Sequence, residues 1–162
     1  MGTRMTSRLA TAATQPSRTL APGEVLISEG GEIGGTIYVL ETGRLTVERA
    51  GVVLATISEP NSLVGEMSVL LGGRNTATVR ADGSATVHAI ANADTQLLEN
   101  PQLSFEIARL LAARLERTSE LLVELSRQNP DKKARGLLGS IMSALTAPTD
   151  GPTVLRKDMF ES

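Results

Sequence analysis

The stretch 64–79, VGEMSVLLGGRNTATV, gathers groups able to hold an oxygen-rich anion. Glu66 follows Gly65 at the head of a short apolar run, and Arg74, Asn75 and Thr76 come shortly after it. If Glu66 to Leu71 forms a short helix, the N–H groups of Met67 and Ser68 lie in its first turn. First-turn amides lack intrahelical partners and sit at the positive end of the helix dipole, which suits a phosphate. Gly65 would let a ligand approach the backbone closely. A carboxylate repels phosphate but accepts a hydrogen bond from a sugar hydroxyl, so Glu66 beside these amides fits a cyclic sugar phosphate. The same residues also fit an ordinary turn in which Glu66 only stabilises a helix N-terminus.

The elements around this stretch divide into a strand-rich part and a helical part. Glu24–Ser28 is apolar with polar ends and is followed by a glycine-rich turn. TIYVL and RLTVERA flank the turn ETG, VVLATI makes a further strand, and Glu59–Pro60–Asn61 makes another turn. TATVRA and ATVHAIA are joined by DGS. Many short strands without alternating helices predict an antiparallel sandwich, barrel or jelly roll.

Beyond Asp94 helix replaces strand. Asn100–Pro101 is an N-cap residue before a proline at the first helical position, and strong helix formers continue to about Gln128. Leu111, Leu115, Thr118, Leu122 and Leu125 advance by 4, 3, 4 and 3, a heptad seam that predicts a homodimer through this helix. Leu103, Ile107, Leu110 and Leu121 form a second stripe, expected to cover the strand-rich part. Asp131 caps a further predicted helix over 131–146, ended by Pro148, and 147–162 reads as a flexible tail. Residues 1–17 read as a short helix or tail leading into the domain.

Composition narrows the functions. The chain has 162 residues, enough for one domain with appended helices. A formal net charge of −2 argues against direct DNA binding. There is no cysteine, which suits a cytoplasmic protein, and His88 is the sole histidine, so neither a metal site nor a metal-dependent jelly-roll enzyme is expected. Aromatics make up 2%, too few for a base-stacking platform. No apolar run approaches the ~18 residues of a membrane span.

The ordered series PGEVLISEGGEIGGTIYVLETGRLTV at 22–47, GEMSVLLGGRNTATVRA at 65–81 and the long helix resembles the cyclic-nucleotide-binding domain family. The pieces PGE, EG, YVL–x–x–G and GEM are specific as a set, and the resemblance covers about residues 18–127. It implies a mainly β fold with added α: an eight-stranded β-roll of the jelly-roll kind over 18–92, with a short helix in its phosphate-binding cassette. It also implies a long helix over 100–127 that closes on the ligand. By the resemblance, Glu66 would bind the ribose 2′-hydroxyl, Gly65, Met67 and Ser68 would line the phosphate through the backbone, and Val64 belongs to the same nucleotide-binding set. ARLERTSE at 113–120 is similar to the base-contacting helix of the family's catabolite-activator branch, which places Thr118 and Ser119 against adenine.

One departure from the family pattern stands out. The family's cassette ends in Arg, a small residue and Ala-Thr-Val; aligned on Ala77-Thr78-Val79, the arginine position holds Asn75, and Arg74 falls one place early. Either Arg74 swings in to take the phosphate, or its charge is left to Asn75, the cassette helix and the Thr76 hydroxyl. The resemblance thus implies a non-enzymatic regulatory sensor for cAMP, with Thr76 favouring cGMP instead, and no cofactor beyond that ligand. The alternative is a degenerate roll serving dimerisation or protein interaction without nucleotide.

Overall fold

In the computed structural model, residues 15–32, 34–128, 131, 135–137, 139–141 and 143 are described. The expected helix or tail over 1–17 lies almost wholly outside them, as does the tail over 147–162. Within the predicted helix over 131–146, positions 135–137, 139–141 and 143 are helical, and the Arg135 N–H donates to the Asp131 carbonyl at 3.0 Å. The chain divides into two compact units, residues 1–104 and 105–162.

Among the described residues of the first unit, eight strands form two four-stranded antiparallel sheets. One contains β1 (Ser17–Leu20), β8 (Ala85–Ile90), β3 (Ile37–Thr42) and β6 (Leu63–Val64), in that order. The other runs β2 (Val25–Ile27), β7 (Thr78–Ala81), β4 (Leu45–Arg49) and β5 (Val52–Ile57). Leu20, Leu40, Val64, Ala85 and Val87 from the first sheet meet Leu45, Val79 and Ala81 from the second in one buried cluster. Burying each leucine or valine is worth about 1.5–3 kcal/mol, so this inner layer fixes which face of each strand points inward. The register follows: Val87 opposes Leu40, and Ala81 opposes Leu45.

The β3–β4 turn requires its glycine. Gly43 has φ +89°, and a Cβ there would stand 2.3 Å from the Ser84 carbonyl oxygen. The β6 strand feeds α1 (Glu66–Leu71) through Gly65, itself left-handed at φ +86°. A Cβ on Gly65 would meet the Thr36 carbonyl at 3.0 Å and Ile27 Cδ1 at 3.2 Å. Bare backbone at this position therefore lets β6, β2 and the start of β3 converge where α1 begins.

Two further helices follow β8. α2 (Ala93–Glu99) starts after Asn92, another left-handed residue at φ +47°. α3 (Pro101–Gln128) starts at the expected proline, and Asn100 Oδ1 accepts from the Leu103 N–H at 3.1 Å, the cap that the Asn-Pro pair predicts. Leu103 and Ile107 of the second stripe are buried, whereas Leu121 is 60% exposed. On the heptad seam, Leu115 is 44% and Leu125 48% exposed. No helix among the described residues is long and apolar enough to cross a membrane.

Candidate functional site

The cassette helix forms where the sequence places it, over Glu66–Leu71, with Gly65 before it and Gly72 after it. Val69 N–H reaches back to the Gly65 carbonyl at 3.4 Å, closing the first turn, and Gly72 N–H closes the last on the Ser68 carbonyl at 3.0 Å. Beside α1 lies a cavity of about 240 Å³ within the first unit. The Ile27 and Tyr38 side chains and Val69 give it apolar walls; Ser68, Glu32 and Asn75 bring polar groups to it. That volume and mixture suit a small organic ligand held by few polar contacts.

The candidate residues separate into distinct places. Gly65, Ser68 and Asn75 line the cavity. Val64 is in the buried core of the roll, and Met67 is half exposed on α1. Glu66 is 3% exposed, an unusual burial for a carboxylate. Thr76 is exposed. Thr118 and Ser119 lie on α3 in the second unit, and their hydroxyls donate to the Arg114 and Leu115 carbonyls, both at 2.9 Å.

Arg74 and Asn75 have opposite attachments to one loop. The main chain of Asn75 pairs with that loop twice: Gly30 N–H donates to the Asn75 carbonyl at 2.8 Å, and Asn75 N–H donates to the Gly31 carbonyl at 3.1 Å. Asn75 Nδ2 adds a longer bond to the Glu32 carbonyl at 3.3 Å. Arg74 Nη1 donates to the Gly30 carbonyl at 3.0 Å, and Arg74 is not among the lining residues. Among the described lining residues there is no Lys, Arg or His. Lining residues that the sequence reading does not name include Ile27, Glu32, Thr36, Tyr38 and Val69, which the sequence shows only as strand, turn and helix residues. For Ser68, which the sequence places at the phosphate through its amide, the serine inside the apolar run EMSVLL is the signal for a side-chain role.

These features match a known family. The sequence model described as "Cyclic nucleotide-binding domain" matches residues 17–103, more than half of the chain. The chain belongs to the cyclic nucleotide-binding domain family. It is 38% identical over 69 residues to a cGMP-dependent protein kinase, isozyme 2, of Drosophila melanogaster; that match covers 43% of this chain and 6% of the kinase. The catabolite activator protein of Thermus thermophilus superposes with a TM-score of 0.58 at 25% identity, over 76% of this chain and 61% of that one. PKAR CBD2, solved bound to Sp-2Cl-cAMPS, superposes with a TM-score of 0.54 at 25% identity, over 72% of this chain and 75% of that one. The chain therefore spans only a small part of the kinase and less than two thirds of the activator.

Proposed function

We propose that the chain is a non-enzymatic sensor that binds a 3′,5′-cyclic nucleotide, cAMP in the first instance, and converts occupancy into a movement of α3. The observation that carries this reading is the cavity beside α1, walled by Gly65, Ser68, Val69 and Asn75 and sized for a small ligand. Glu66, buried beside the cavity though not among its lining residues, would turn to the ribose hydroxyl, with the cassette backbone facing the phosphate. The likeness to a domain solved with a cAMP analogue supports cAMP, as does the Thr118–Ser119 pair on α3; Thr76 and the likeness to a cGMP-dependent kinase support cGMP. Two ligand states need different contacts to drive a switch, and a base-contacting helix at a dimer seam supplies such a difference. The exposed Leu115 and Leu125 on that seam support a homodimer, which sedimentation velocity tests.

Isothermal titration calorimetry of the purified chain with cAMP and cGMP tests the reading directly. Saturable heat with one ligand preferred is the expected result. No heat and no thermal shift at about millimolar ligand, where even a ~4 kcal/mol interaction would register, sinks it.

A second reading has its own observation. With Asn75 in the arginine position and Arg74 bonded to the Gly30 carbonyl, no guanidinium lines the cavity among the described residues. That supports a roll kept for dimerisation or protein interaction after loss of the ligand. Tight cAMP binding that appears only when Asn75 is replaced by arginine would favour this second reading.

A further inference from the structure

Ser68 brings side-chain hydrogen-bonding capacity to the cavity wall without a protein use for it. It is 8% exposed, it lines the cavity, and its hydroxyl has no hydrogen-bond partner among the described residues. This oxygen is not a buried orphan but is open to solvent at the cavity wall, so it is available to a ligand atom. Asn75 complements it from the other end of the cassette. Its Nδ2 spends one N–H on the Glu32 carbonyl and keeps a second, and Asn75 also lines the cavity. Both groups are neutral, and the charged group on the lining, Glu32, is an anion.

Resting on the cyclic-nucleotide reading, we infer that the Ser68 hydroxyl and the Asn75 amide hold the exocyclic oxygens of the ligand's phosphodiester, so that this pocket recognises its anion through neutral donors. A cyclic phosphodiester carries a single negative charge, which two neutral donors and the backbone satisfy. A 5′-monophosphate carries up to two, brought beside Glu32 with no cation on the wall to offset them. The pocket therefore prefers the cyclic ester over the open monophosphate. Its binding also depends little on salt, because no ion pair is there to screen.

Calorimetry on the whole chain, wild type and Ser68→Ala, with cAMP, adenosine and the two phosphorothioate diastereomers of cAMP, tests this. One lost neutral hydrogen bond is expected to weaken cAMP about three- to tenfold, while adenosine, which has no phosphate, binds both proteins equally. Sulfur is a poor acceptor, so the diastereomer with sulfur at the Ser68-facing position binds wild type and Ser68→Ala alike, and the other does not. Equal cAMP affinity in the two proteins overturns the inference, and so does an equal loss for cAMP and adenosine, which would mark a structural role. If wild type binds no nucleotide, Asn75→Arg separates the failures. Binding by that variant alone overturns neutral recognition while keeping the fold's ligand class; silence in both overturns the cyclic-nucleotide reading itself.

Discussion

Replacing Asn75 by arginine asks what one charge is worth in this pocket, and the structure supplies both sides of the balance. The two main-chain bonds between residue 75 and the Gly30–Gly31 loop do not involve the side chain, so they survive the substitution. What is lost is the Nδ2 bond to the Glu32 carbonyl, which at 3.3 Å is beyond the usual N–H···O range and is worth no more than about 0.5 kcal/mol. What is gained is a guanidinium able to grip two phosphate oxygens. A charged donor contributes about 1.5–3 kcal/mol against about 0.5–1.5 for a neutral one, so the net gain is on the order of 1–2 kcal/mol. That corresponds to roughly 5–30-fold tighter binding of cAMP. Calorimetry with cAMP and adenosine, at low and high salt, reads the result. The gain should appear for cAMP alone and should shrink as salt rises. Unchanged or weaker cAMP binding by a variant that melts like wild type would refute the placement of Asn75 at the phosphate.

Other consequences are as specific. Glu66→Ala should lower cAMP affinity at least about tenfold, as expected for a charge-assisted bond to a ribose hydroxyl, and calorimetry with 2′-deoxy-cAMP should show the wild type suffering the same loss. Gly43→Ala should destabilise the roll by about 3 kcal/mol in urea denaturation, because its Cβ would lie 2.3 Å from the Ser84 carbonyl at a φ of +89°. Glu24 predicts a pH effect. The Ala21 amide and then the Arg18 guanidinium hold its carboxyl below the ordinary carboxylate range. A depressed folded pKa stabilises above the unfolded value and is lost as pH falls through the folded one, so wild type should exceed Glu24→Gln near neutrality. The two melting curves should converge as pH falls through the depressed folded value.

The parts of this fold that were legible in the sequence are those marked by turn chemistry or by a cap. The ETG and DGS turns separate β3 from β4 and β7 from β8 where expected, and the cassette helix and Asn100 cap fall at the expected residues. Three elements were not individually visible. β1 reads SRTL, with only Leu20 buried, so it has no alternation to detect. It is defined by pairing with β8, a partner some 67 residues away in sequence, as the Thr19–Thr86 hydroxyl contact shows. β6 has two residues, too few for a period, and α2 begins after a left-handed Asn92 that looks like a loop residue. At the site, residue types identified the cassette but not the direction of its side chains. Glu66 is charged in the sequence and 3% exposed in the structure, a contrast that only packing creates.

The one-residue offset between Arg74 and Asn75 has a structural meaning that the sequence alone leaves open. Moving Arg74 into the position of Asn75 would slide the cassette end by one residue along the loop. That slide would break both main-chain bonds, Gly30 to the Asn75 carbonyl and Asn75 to the Gly31 carbonyl, and leave two amides to find new partners. Gly30 is exposed and Asn75 half-buried, so the cost is that of two lost hydrogen bonds, about 0.5–1.5 kcal/mol each, comparable to what a phosphate–guanidinium contact returns. Arg74 would also forfeit its bond to the Gly30 carbonyl. The register is thus held by backbone pairing whatever side chain stands at 75. It follows that residue 75 decides whether a cation joins Glu32 on the lining of this pocket, and that the glycines before Arg74, Gly72 and Gly73, would have to supply any freedom for the arginine to act in its place.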